Sequence, residues 1–399
     1  MSNVLMNTYH RLPVTFVKGE GSWLTDVEGK KYLDFTSGIA VNCLGHAYPP
    51  LVRAISEQAA KLNHTCNYFL SDVVEAFAEK LVEACAGAGM KKVFLANSGA
   101  EANEGACKIA RKYSLVKYGP GRHTIVTLRG SFHGRTITTL SATGQDNFHK
   151  DFGPFTEGFV YVPPSPTLRV GDDIDALDRA LDPNTTAAFL VEAVQGESGV
   201  RPQTPEYLAA AAALCAERDI LLMFDEIQCG MGRTGSFLAC EGYGLKPDVV
   251  TLAKGLGGGI PSGAVLAGEK AAEVLQVGDH GSTFGGNPIA AAAGIVVLDT
   301  VAKPEFLAEI ARKGDKIRSI IASWNHPKIT GLRAKGMMLG VDLTVEAWPV
   351  LEAAVERART ADSGLLLLGA GSQTLRLLPP YTITDGEIEK GLDILKIIL

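Results

Sequence analysis

The chain has 399 residues, more than the ~250–300 over which one hydrophobic core usually grows, so two domains are expected. Its 38 Lys and Arg and 44 Asp and Glu give a formal net charge of −6, without the basic stripe typical of nucleic-acid-binding proteins. The 44 glycines, about 11% of the chain where ~7% is usual, follow no Gly-X-Y period. They exclude collagen and indicate many close approaches of the backbone.

The cysteines and apolar stretches indicate the compartment. The seven cysteines stand singly, with no CxxC pair, so we predict buried thiols and no metal site. Residues 1–13 lack the apolar core of a signal peptide. The longest apolar stretches, Leu208–Ala216 and Pro288–Leu298, are too short to span a bilayer. We therefore expect a cytoplasmic protein that binds neither membranes nor nucleic acid.

Strand and helix patterns divide the chain into three parts. The N-terminal part has predicted strands at Val14–Val17 and Tyr32–Phe35, with a turn at Glu28–Lys30 between them. From about residue 90 to 270, apolar runs alternate with helical patterns, which is typical of a mostly parallel sheet covered on both faces. The predicted strands are Lys92–Ala96, Thr124–Leu128, Ala187–Val191, Ile220–Phe224, Val249–Ala253 and Ala264–Ala267, and the helices between them include one from about Glu101 and Pro205–Arg218.

The C-terminal ~95 residues have a different pattern. Helices are predicted at Glu305–Ser323 and Val350–Ser363, and strands at Met337–Leu343 and Thr374–Leu378, which indicates a smaller α+β domain. The N-terminal segment is too short to form a domain alone. We therefore predict an α/β protein with a large domain over residues 50–305 and a small domain built from residues 1–49 and 306–399.

A turn rich in small residues, Asn97–Asn103, follows a predicted strand and opens a predicted helix. Such a turn exposes backbone N–H groups that commonly hold phosphate. Capping of the helix by Asn97 or Ser98 alone explains the same residues.

Two chemically active side chains follow predicted strands. Asp225 and Glu226 end the apolar run before Gln228, and ligands of doubly wound sheets bind at such carboxyl ends. A solvated strand end or a helix cap is the alternative. Lys254 ends a later strand and precedes a glycine-rich loop, so it is either a surface charge or a lysine that binds a carbonyl cofactor.

The segment Gly230–Gly235 matches the G-x-G-x-x-G pattern of dinucleotide-binding proteins. The residues Asp225–Gln228 separate it from its strand, and no clean helical period follows it, so its context argues against this function.

Further segments can bind anions. Gly130–Arg135 places an aromatic residue and an arginine three residues apart, and Gly281–Pro288 offers hydroxyls in a glycine-rich turn. Arg376 is a charge within an apolar strand, where it needs either a structural ion pair or a substrate carboxylate.

Taken together, five motifs in order resemble the class III pyridoxal-phosphate-dependent aminotransferases, and most closely those that use N-acetylornithine. The resemblance runs over nearly the whole chain. The motifs are Ser98–Asn103, Ser131–Thr136, Phe224–Glu226, Leu252–Gly255 and His280–Pro288. The resemblance implies a fold-type I transferase, a homodimer, and pyridoxal phosphate as the cofactor.

The resemblance also implies the roles of single residues. Lys254 would bind the cofactor covalently, Asp225 would pair with its ring nitrogen as the second catalytic residue, and Phe132 would stack on the ring. The other residues of the cofactor site would be Ser98, Gly99 and Ala100 at the phosphate, Glu226, Ile227 and Gln228 after the strand, and Thr283 from the neighbouring subunit. Arg135 and Ser282 would bind acetylornithine, Arg376 would bind the α-carboxylate of 2-oxoglutarate, and Glu197 would pair with Arg376 while the amino donor is bound.

The choice of amino donor stays open among acetylornithine, succinylornithine, succinyldiaminopimelate and ornithine. Ile39 stands where similar ornithine enzymes carry a tyrosine, which favours an N-acylated donor and thus a place in arginine synthesis. Glu192 is followed by Ala193 where the family usually has proline, which removes no catalytic group. A nicotinamide-dependent oxidoreductase that uses Gly230–Gly235 and a binding protein without catalysis are the alternatives outside this class.

Overall fold

The computed structural model describes residues 4–166 and 171–399. The strands are β1 (Phe16–Glu20), β2 (Trp23–Asp26), β3 (Lys31–Asp34), β4 (Met90–Ala96), β5 (Thr124–Leu128), β6 (Phe159–Val162), β7 (Thr186–Val191), β8 (Val194–Gln195), β9 (Arg201–Pro202), β10 (Leu221–Asp225), β11 (Val249–Leu252), β12 (Gly263–Gly268), β13 (Ile329–Lys335), β14 (Met338–Leu343), β15 (Gly364–Leu366), β16 (Leu368–Gly369) and β17 (Thr374–Leu377). The α-helices are α1 (Ser37–Ala40), α2 (Pro49–Lys61), α3 (Asp72–Ala84), α4 (Gly99–Tyr118), α5 (Ile137–Ala142), α6 (Asp146–His149), α7 (Asp172–Ala180), α8 (Pro205–Glu217), α9 (Pro288–Val301), α10 (Pro304–Ser323), α11 (Ala347–Thr360) and α12 (Asp385–Ile398). Short 3₁₀ helices lie at Ala86–Ala88, Cys240–Tyr243 and Lys254–Gly257.

A seven-stranded sheet in the order β4-β12-β11-β10-β7-β5-β6 forms the centre of the molecule. Strands β11, β10, β7, β5 and β6 run parallel to one another, and β12 is antiparallel to both β11 and β4. The predicted mostly parallel sheet is therefore confirmed, with one reversed strand.

Alternation along each strand places apolar side chains on both faces of this sheet, since successive residues of a strand point in opposite directions. Leu221 and Met223 of β10 pack in a cluster with Ala102, Ala106 and Ile109 of α4. The intervening residues Leu222 and Phe224 belong to the other cluster, which includes residues of α8 and α9. All five residues of β10 are buried, which explains its unbroken apolar sequence.

Both ends of the chain contribute to one smaller sheet, of order β1-β2-β3-β15. Strand β3 pairs in parallel with β15, so that Tyr32 lies opposite Gly364. A separate sheet of order β13-β14-β17-β16 consists of C-terminal strands only. The two chain ends thus share one sheet, and the division into a large and a small domain with limits at residues 49 and 306 stays a prediction.

Several strands of the central sheet end near one another at its carboxyl edge. Strand β4 leads into Ser98 at the start of α4, β10 ends at Asp225, and β11 is followed by Lys254. This is the edge at which ligands bind in open α/β sheets. None of the helices described here combines the length and the apolar character that crossing a membrane requires.

Candidate active site

A cavity of about 440 Å³ opens at the carboxyl edge of the central sheet. It contains residues from most of the motifs that the sequence singled out. The predicted site residues that line it are Ser98, Gly99, Ala100, Phe132, Arg135, Asp225, Ile227, Gln228 and Lys254. The structure thus brings together residues as far apart in the chain as Ser98 and Lys254, which are separated by 156 positions.

The N-terminus of α4 forms one wall of this cavity. The Ser98 side chain caps the helix, because Glu101 N donates to Ser98 Oγ at 3.2 Å, and Ala102 N donates to Ser98 O at 3.0 Å. The N–H groups of Gly99 and Ala100 donate to no other group in the described part of the chain. Capping therefore does not exclude anion binding here, because the serine satisfies one donor and leaves two N–H groups without a partner.

Gly99 is needed for close packing at this wall. A Cβ atom at Gly99 would lie 2.8 Å from Cδ1 of Ile227, a distance that real Cβ atoms essentially never show. The backbone of α4 therefore approaches the segment after β10 as closely as glycine permits.

Asp225 is held by three hydrogen-bonding groups at the end of β10. Asn103 Nδ2 donates to Asp225 Oδ2 at 2.8 Å, and Nδ1 of His133 lies 2.8 Å from the same oxygen. Oδ1 accepts from Ile227 N at 3.0 Å. Thr251 Oγ1 in turn donates to Asn103 Oδ1 at 2.8 Å, which fixes the orientation of the amide. The carboxylate is buried and cannot rotate without loss of these bonds.

The sequence assigned no role to Asn103 or His133. Both belong to recognised motifs, Asn103 as the last residue of Ser98–Asn103 and His133 within Ser131–Thr136. Their contacts with Asp225 could not be predicted from the sequence, because Asn103 and His133 lie 122 and 92 positions away from it in the chain.

Lys254 starts the 3₁₀ helix after β11 and has a left-handed backbone with φ 46°. Burial lowers the pKa of Lys254, the positive charge of Arg376 lowers it further, and the negative charge of Asp225 acts in the opposite direction. Its Nζ has no hydrogen bond or ion pair within residues 4–166 and 171–399. A desolvated amine with a lowered pKa is a better nucleophile at neutral pH than an exposed lysine.

Glu192 is a further buried acid at the cavity and was not predicted as a site residue. Its carboxylate accepts from Phe132 N at 2.9 Å and from Gly196 N at 3.2 Å. Burial raises the pKa of Glu192, and the nearby charge of Asp225 raises it further. Glu192 therefore ties the loop of Phe132 to the segment that carries Glu197.

Arg135 lies at the exposed mouth of the cavity. Its guanidinium carbon lies 4.0 Å from the ring centroid of Phe148 and 5.6 Å from that of Phe132. The two rings meet edge to face at 5.8 Å. Stacking on Phe148, which the sequence did not single out, orients an arginine that would otherwise be free in solvent.

Arg376 of β17 is buried and contacts the cavity wall. Its Nη1 donates to Gln228 Oε1 at 3.0 Å and to Gly196 O at 3.1 Å. Within the described part of the chain, Glu197 forms no ion pair with Arg376 and instead accepts a hydrogen bond from Gln145 Nε2 at 2.7 Å. The expected pair between Glu197 and Arg376 is thus open in this structure.

Besides Glu197 and Arg376, three predicted site residues do not line the cavity. The Glu226 carboxylate accepts from Ala239 N and Cys240 N, each at 2.7 Å, and burial raises its pKa to about 7. Ser282 and Thr283 line a separate surface depression of about 780 Å³. The prediction that Thr283 serves the site of a neighbouring subunit agrees with this exposed position and stays a prediction.

The structure also bears on dinucleotide binding and on metal binding. The segment Gly230–Gly235 leads to the 3₁₀ helix Cys240–Tyr243 and not to an α-helix, so the dinucleotide-binding geometry is lacking. Its Arg233 is buried and donates to Met337 O and Pro379 O, which is a structural role. No group of three or more potential metal ligands lies within the described ranges.

The cavity residues fit pyridoxal phosphate. The free N–H groups of Gly99 and Ala100 suit its phosphate, the fixed carboxylate of Asp225 suits its ring nitrogen, and the unpaired amine of Lys254 suits its aldehyde. This α/β fold, with its lysine at the carboxyl edge of the sheet, defines a pyridoxal-phosphate-dependent transferase of fold type I.

Comparison with known proteins gives the family. The family model for "Aminotransferase class-III" matches residues 4–399, and the chain belongs to this family. It is 46% identical to an acetylornithine aminotransferase of Caldanaerobacter subterraneus over 397 residues, which cover 99% of this chain and 97% of that protein.

Solved structures agree with this assignment. The ornithine aminotransferase from Toxoplasma gondii superposes with a TM-score of 0.91 at 32% identity, covering 99% of this chain and 91% of that one. The N-acetylornithine aminotransferase from Stenotrophomonas maltophilia gives 0.82 at 38% identity, covering 98% and 96%. The predicted family, fold class and cofactor are confirmed.

Proposed function

We propose that this enzyme moves the terminal amino group of N2-acetyl-L-ornithine to 2-oxoglutarate, with N-acetylglutamate semialdehyde and glutamate as the products. The observation that carries the proposal is the placement of two arginines at one cavity. Arg135 is exposed and lines the mouth, whereas Arg376 is buried and bonded to Gln228 in the wall. Two substrates with differently placed carboxylates need two such cations.

The first half-reaction uses the mouth of the cavity. Pyridoxal phosphate, when bound, supplies an electron sink for the carbon that loses a proton. Arg135 binds the carboxylate of acetylornithine and leaves the terminal amine directed inward. Nζ of Lys254 acts as general base and takes the proton from Cδ of the amino donor. Burial lowers the pKa of this lysine, which favours the neutral amine that the step requires.

The second half-reaction uses the deeper arginine. Arg376 binds the α-carboxylate of 2-oxoglutarate and places its carbonyl carbon near Lys254, whose protonated amine donates a proton to that carbon. Asp225, fixed by Asn103 and His133, would pair with the ring nitrogen of the bound cofactor and favour its protonated form.

The proposed enzyme is a homodimer, with Ser282 and Thr283 of one subunit completing the site of the other. Large apolar side chains are exposed around the depression that contains these residues, including Tyr68 at 96% and Val277 at 107%. Contiguous exposed apolar surface is typical of an interface between subunits. Sedimentation at micromolar concentration is expected to give twice the mass of the chain, and a monomer would contradict this part of the proposal.

The place of action that we propose is the cytoplasm, within arginine synthesis. The seven free cysteines support it, because reduced thiols are characteristic of that compartment.

Ornithine is the strongest competing donor. Ile39 does not line the cavity of a single chain, while Val41 does. Ile39 has a left-handed backbone with φ 65°, unusual for a β-branched residue, and its side chain is 43% exposed. The preference for an acylated donor is therefore supported by the sequence difference, an isoleucine where similar ornithine enzymes carry a tyrosine, and not by a contact with the cavity of the same chain.

A comparison of donors tests the proposal. The kcat/KM values of acetylornithine, succinylornithine, succinyldiaminopimelate and ornithine are measured with 2-oxoglutarate as the acceptor. Acetylornithine is expected to give the highest value. A tenfold advantage of ornithine, about 1.4 kcal/mol in transition-state binding, would overturn the assignment.

The role of Lys254 is tested separately. Lys254→Ala is expected to lower kcat about 10²–10⁴-fold, the usual contribution of a general base, and to abolish the borohydride-reducible bond to the cofactor. Lys246→Ala, a change at an exposed lysine, is the matched control and is expected to keep both.

A further inference from the structure

Gln145, to which the sequence assigned no role, contacts one of the substrate-recognition residues. It directly precedes α6, and its side chain is half-buried. Gln145 Nε2 donates to Glu197 Oε2 at 2.7 Å and to Ser131 O at 3.1 Å. The amide therefore bridges the loop of Phe132 and the segment of Glu197.

Glu197 also interacts electrostatically with Arg376. The residue before it, Gly196, accepts a hydrogen bond through its carbonyl oxygen from Arg376 Nη1 at 3.1 Å. The negative charge of Glu197 opposes the lowering of the Arg376 pKa that burial causes, so the two charges interact although the described residues show no ion pair between them. Gln145 therefore holds a carboxylate that the charge of Arg376 also attracts.

The segment around Glu197 has unsatisfied polar atoms in this arrangement. Gln195 Oε1 and Ser198 Oγ are buried and have no hydrogen-bond partner among the described residues. On the arginine, Nε of Arg376 is likewise buried without a partner. Groups on both sides therefore stand to gain hydrogen bonds when the segment rearranges, and the bond from Gln145 opposes that rearrangement.

We propose that Gln145 is a positioning residue that holds Glu197 away from Arg376 and so reserves Arg376 for the carboxylate of the keto acid. The inference rests on the proposed function, in which acetylornithine leaves Arg376 unused and 2-oxoglutarate requires it. Loss of the Gln145 bond shifts Glu197 towards Arg376 and lowers the fraction of enzyme that is competent to bind the dicarboxylate. The amino donor does not use Arg376, so its binding does not depend on that fraction of the enzyme.

The experiment uses Gln145→Met in the holoenzyme, a change that keeps the length of the side chain and removes its N–H donor. In a reaction with two half-reactions, kcat/KM for each substrate reports on its own half. The value for 2-oxoglutarate is expected to fall about tenfold, as loss of one hydrogen bond to a charged group implies, and the value for acetylornithine to stay within about twofold. Asn147→Ala, at an exposed neighbour in α6, is expected to change neither.

A binding measurement without turnover gives the second readout. Glutarate has both carboxylates of 2-oxoglutarate and lacks its carbonyl, so calorimetry reports binding alone. Its Kd is expected to rise about tenfold in Gln145→Met. In a Glu197→Gln background, the further change Gln145→Met is expected to have no effect on this Kd, because the competing charge is gone.

Two results would overturn the inference. One is an equal fall of kcat/KM for both substrates, which indicates a general structural effect of Gln145. The other is a rise of the glutarate Kd that persists with Glu197→Gln, which indicates that Gln145 does not act through Glu197. A wild type that does not use acetylornithine would contradict the proposed function instead, and glutarate binding would then decide on Gln145 alone.

Discussion

Nδ1 of His133 and Oδ2 of Asp225 lie 2.8 Å apart, and both side chains are buried. The imidazole of His133 and the amide of Asn103 both contact Oδ2 of Asp225, so that Oδ1 accepts only from the N–H of Ile227. The carboxylate is thereby oriented before any ligand enters. Preorganisation of this kind removes the cost of ordering the group when the cofactor binds.

Replacing Asn103 by leucine tests this orientation, because leucine keeps the volume and removes the donor. A hydrogen bond to a charged group contributes ~1.5–3 kcal/mol, so we expect the Kd of pyridoxal phosphate to rise roughly 10–100-fold. Titration of the apoenzyme with the cofactor measures it. Asn184→Ala, at an exposed loop residue, is the control, and an unchanged Kd in Asn103→Leu would refute the orienting role.

The pH dependence of cofactor attachment follows from the environment of Lys254. Burial and the charge of Arg376 lower the pKa of Lys254, so the neutral amine exists at lower pH than in an exposed lysine. Arg376→Met removes a positive charge that disfavours the ammonium form. The pKa of Lys254 therefore rises, and the pH at which attachment is half-maximal in rate moves upward.

Stopped-flow absorbance of the apoenzyme mixed with pyridoxal phosphate gives this profile without any substrate. The exposed change Lys246→Ala is expected to leave the midpoint in place. A shift of the Arg376→Met profile to lower pH would show that the arginine does not act on Lys254 electrostatically.

The contact between Gly99 and Ile227 predicts a substitution and its rescue. In Gly99→Ala, the new Cβ would lie 2.8 Å from Cδ1 of Ile227, so the start of α4 must move away from the phosphate position. We expect cofactor affinity to fall by about tenfold or more, since overpacking costs typically 1–3 kcal/mol. Ile227→Ala in the same chain removes the obstructing atoms and is expected to restore most of the affinity.

Gly386→Ala is the matched control, because a Cβ there meets no atom within 4 Å. Equal affinities of Gly99→Ala with and without the Ile227 change would show that the contact does not limit the approach of α4.

The burial of the Glu226 carboxyl group is expected to make the stability of the protein depend on pH. Burial raises its pKa from 4.5 to about 7 in the folded protein, so the stabilisation of the protonated form is complete below pH 4.5 and is lost as the pH rises through 7. Glu226→Gln cannot titrate. As the pH rises from 5 to 8, the unfolding free energy of the wild type is therefore expected to fall relative to that of the variant, by up to about 3 kcal/mol.

Denaturant unfolding at several pH values measures this difference. The exposed change Glu79→Gln is expected to give a difference that does not move with pH in this way. A constant difference between wild type and Glu226→Gln would show that Glu226 is ionised throughout.

The strands of the central sheet could be predicted to within a few residues, because strands buried on both faces have unbroken apolar sequences. Thr124–Leu128 agrees at both ends. The reversal of β12 was not predicted, since an apolar run contains no information on its direction. Strand β6 (Phe159–Val162) was missed for another reason: it lies at the edge of the sheet and is only partly buried, so its pattern is weak.

The residues of the candidate site likewise fall into those that the sequence indicates and those that it does not. Residues at the ends of strands, such as Asp225 and Lys254, carry their own local signal of a charge after an apolar run. Residues that act through another side chain carry none. Gln145 contacts Glu197 across 52 positions and Glu192 contacts Phe132 across 60, and only the fold brings such pairs together.

The pairing of β3 with β15 has a consequence for synthesis of the chain. Tyr32 lies opposite Gly364, so β3 is synthesised about 330 residues before the strand with which it pairs. At ~5–20 residues per second, the ribosome needs roughly 20–60 s to deliver it. During that time β3 presents an unpaired edge, and a nascent chain held up before Gly364 leaves this edge open to other strands. Release of the C-terminus is therefore the event that completes the first sheet of the chain.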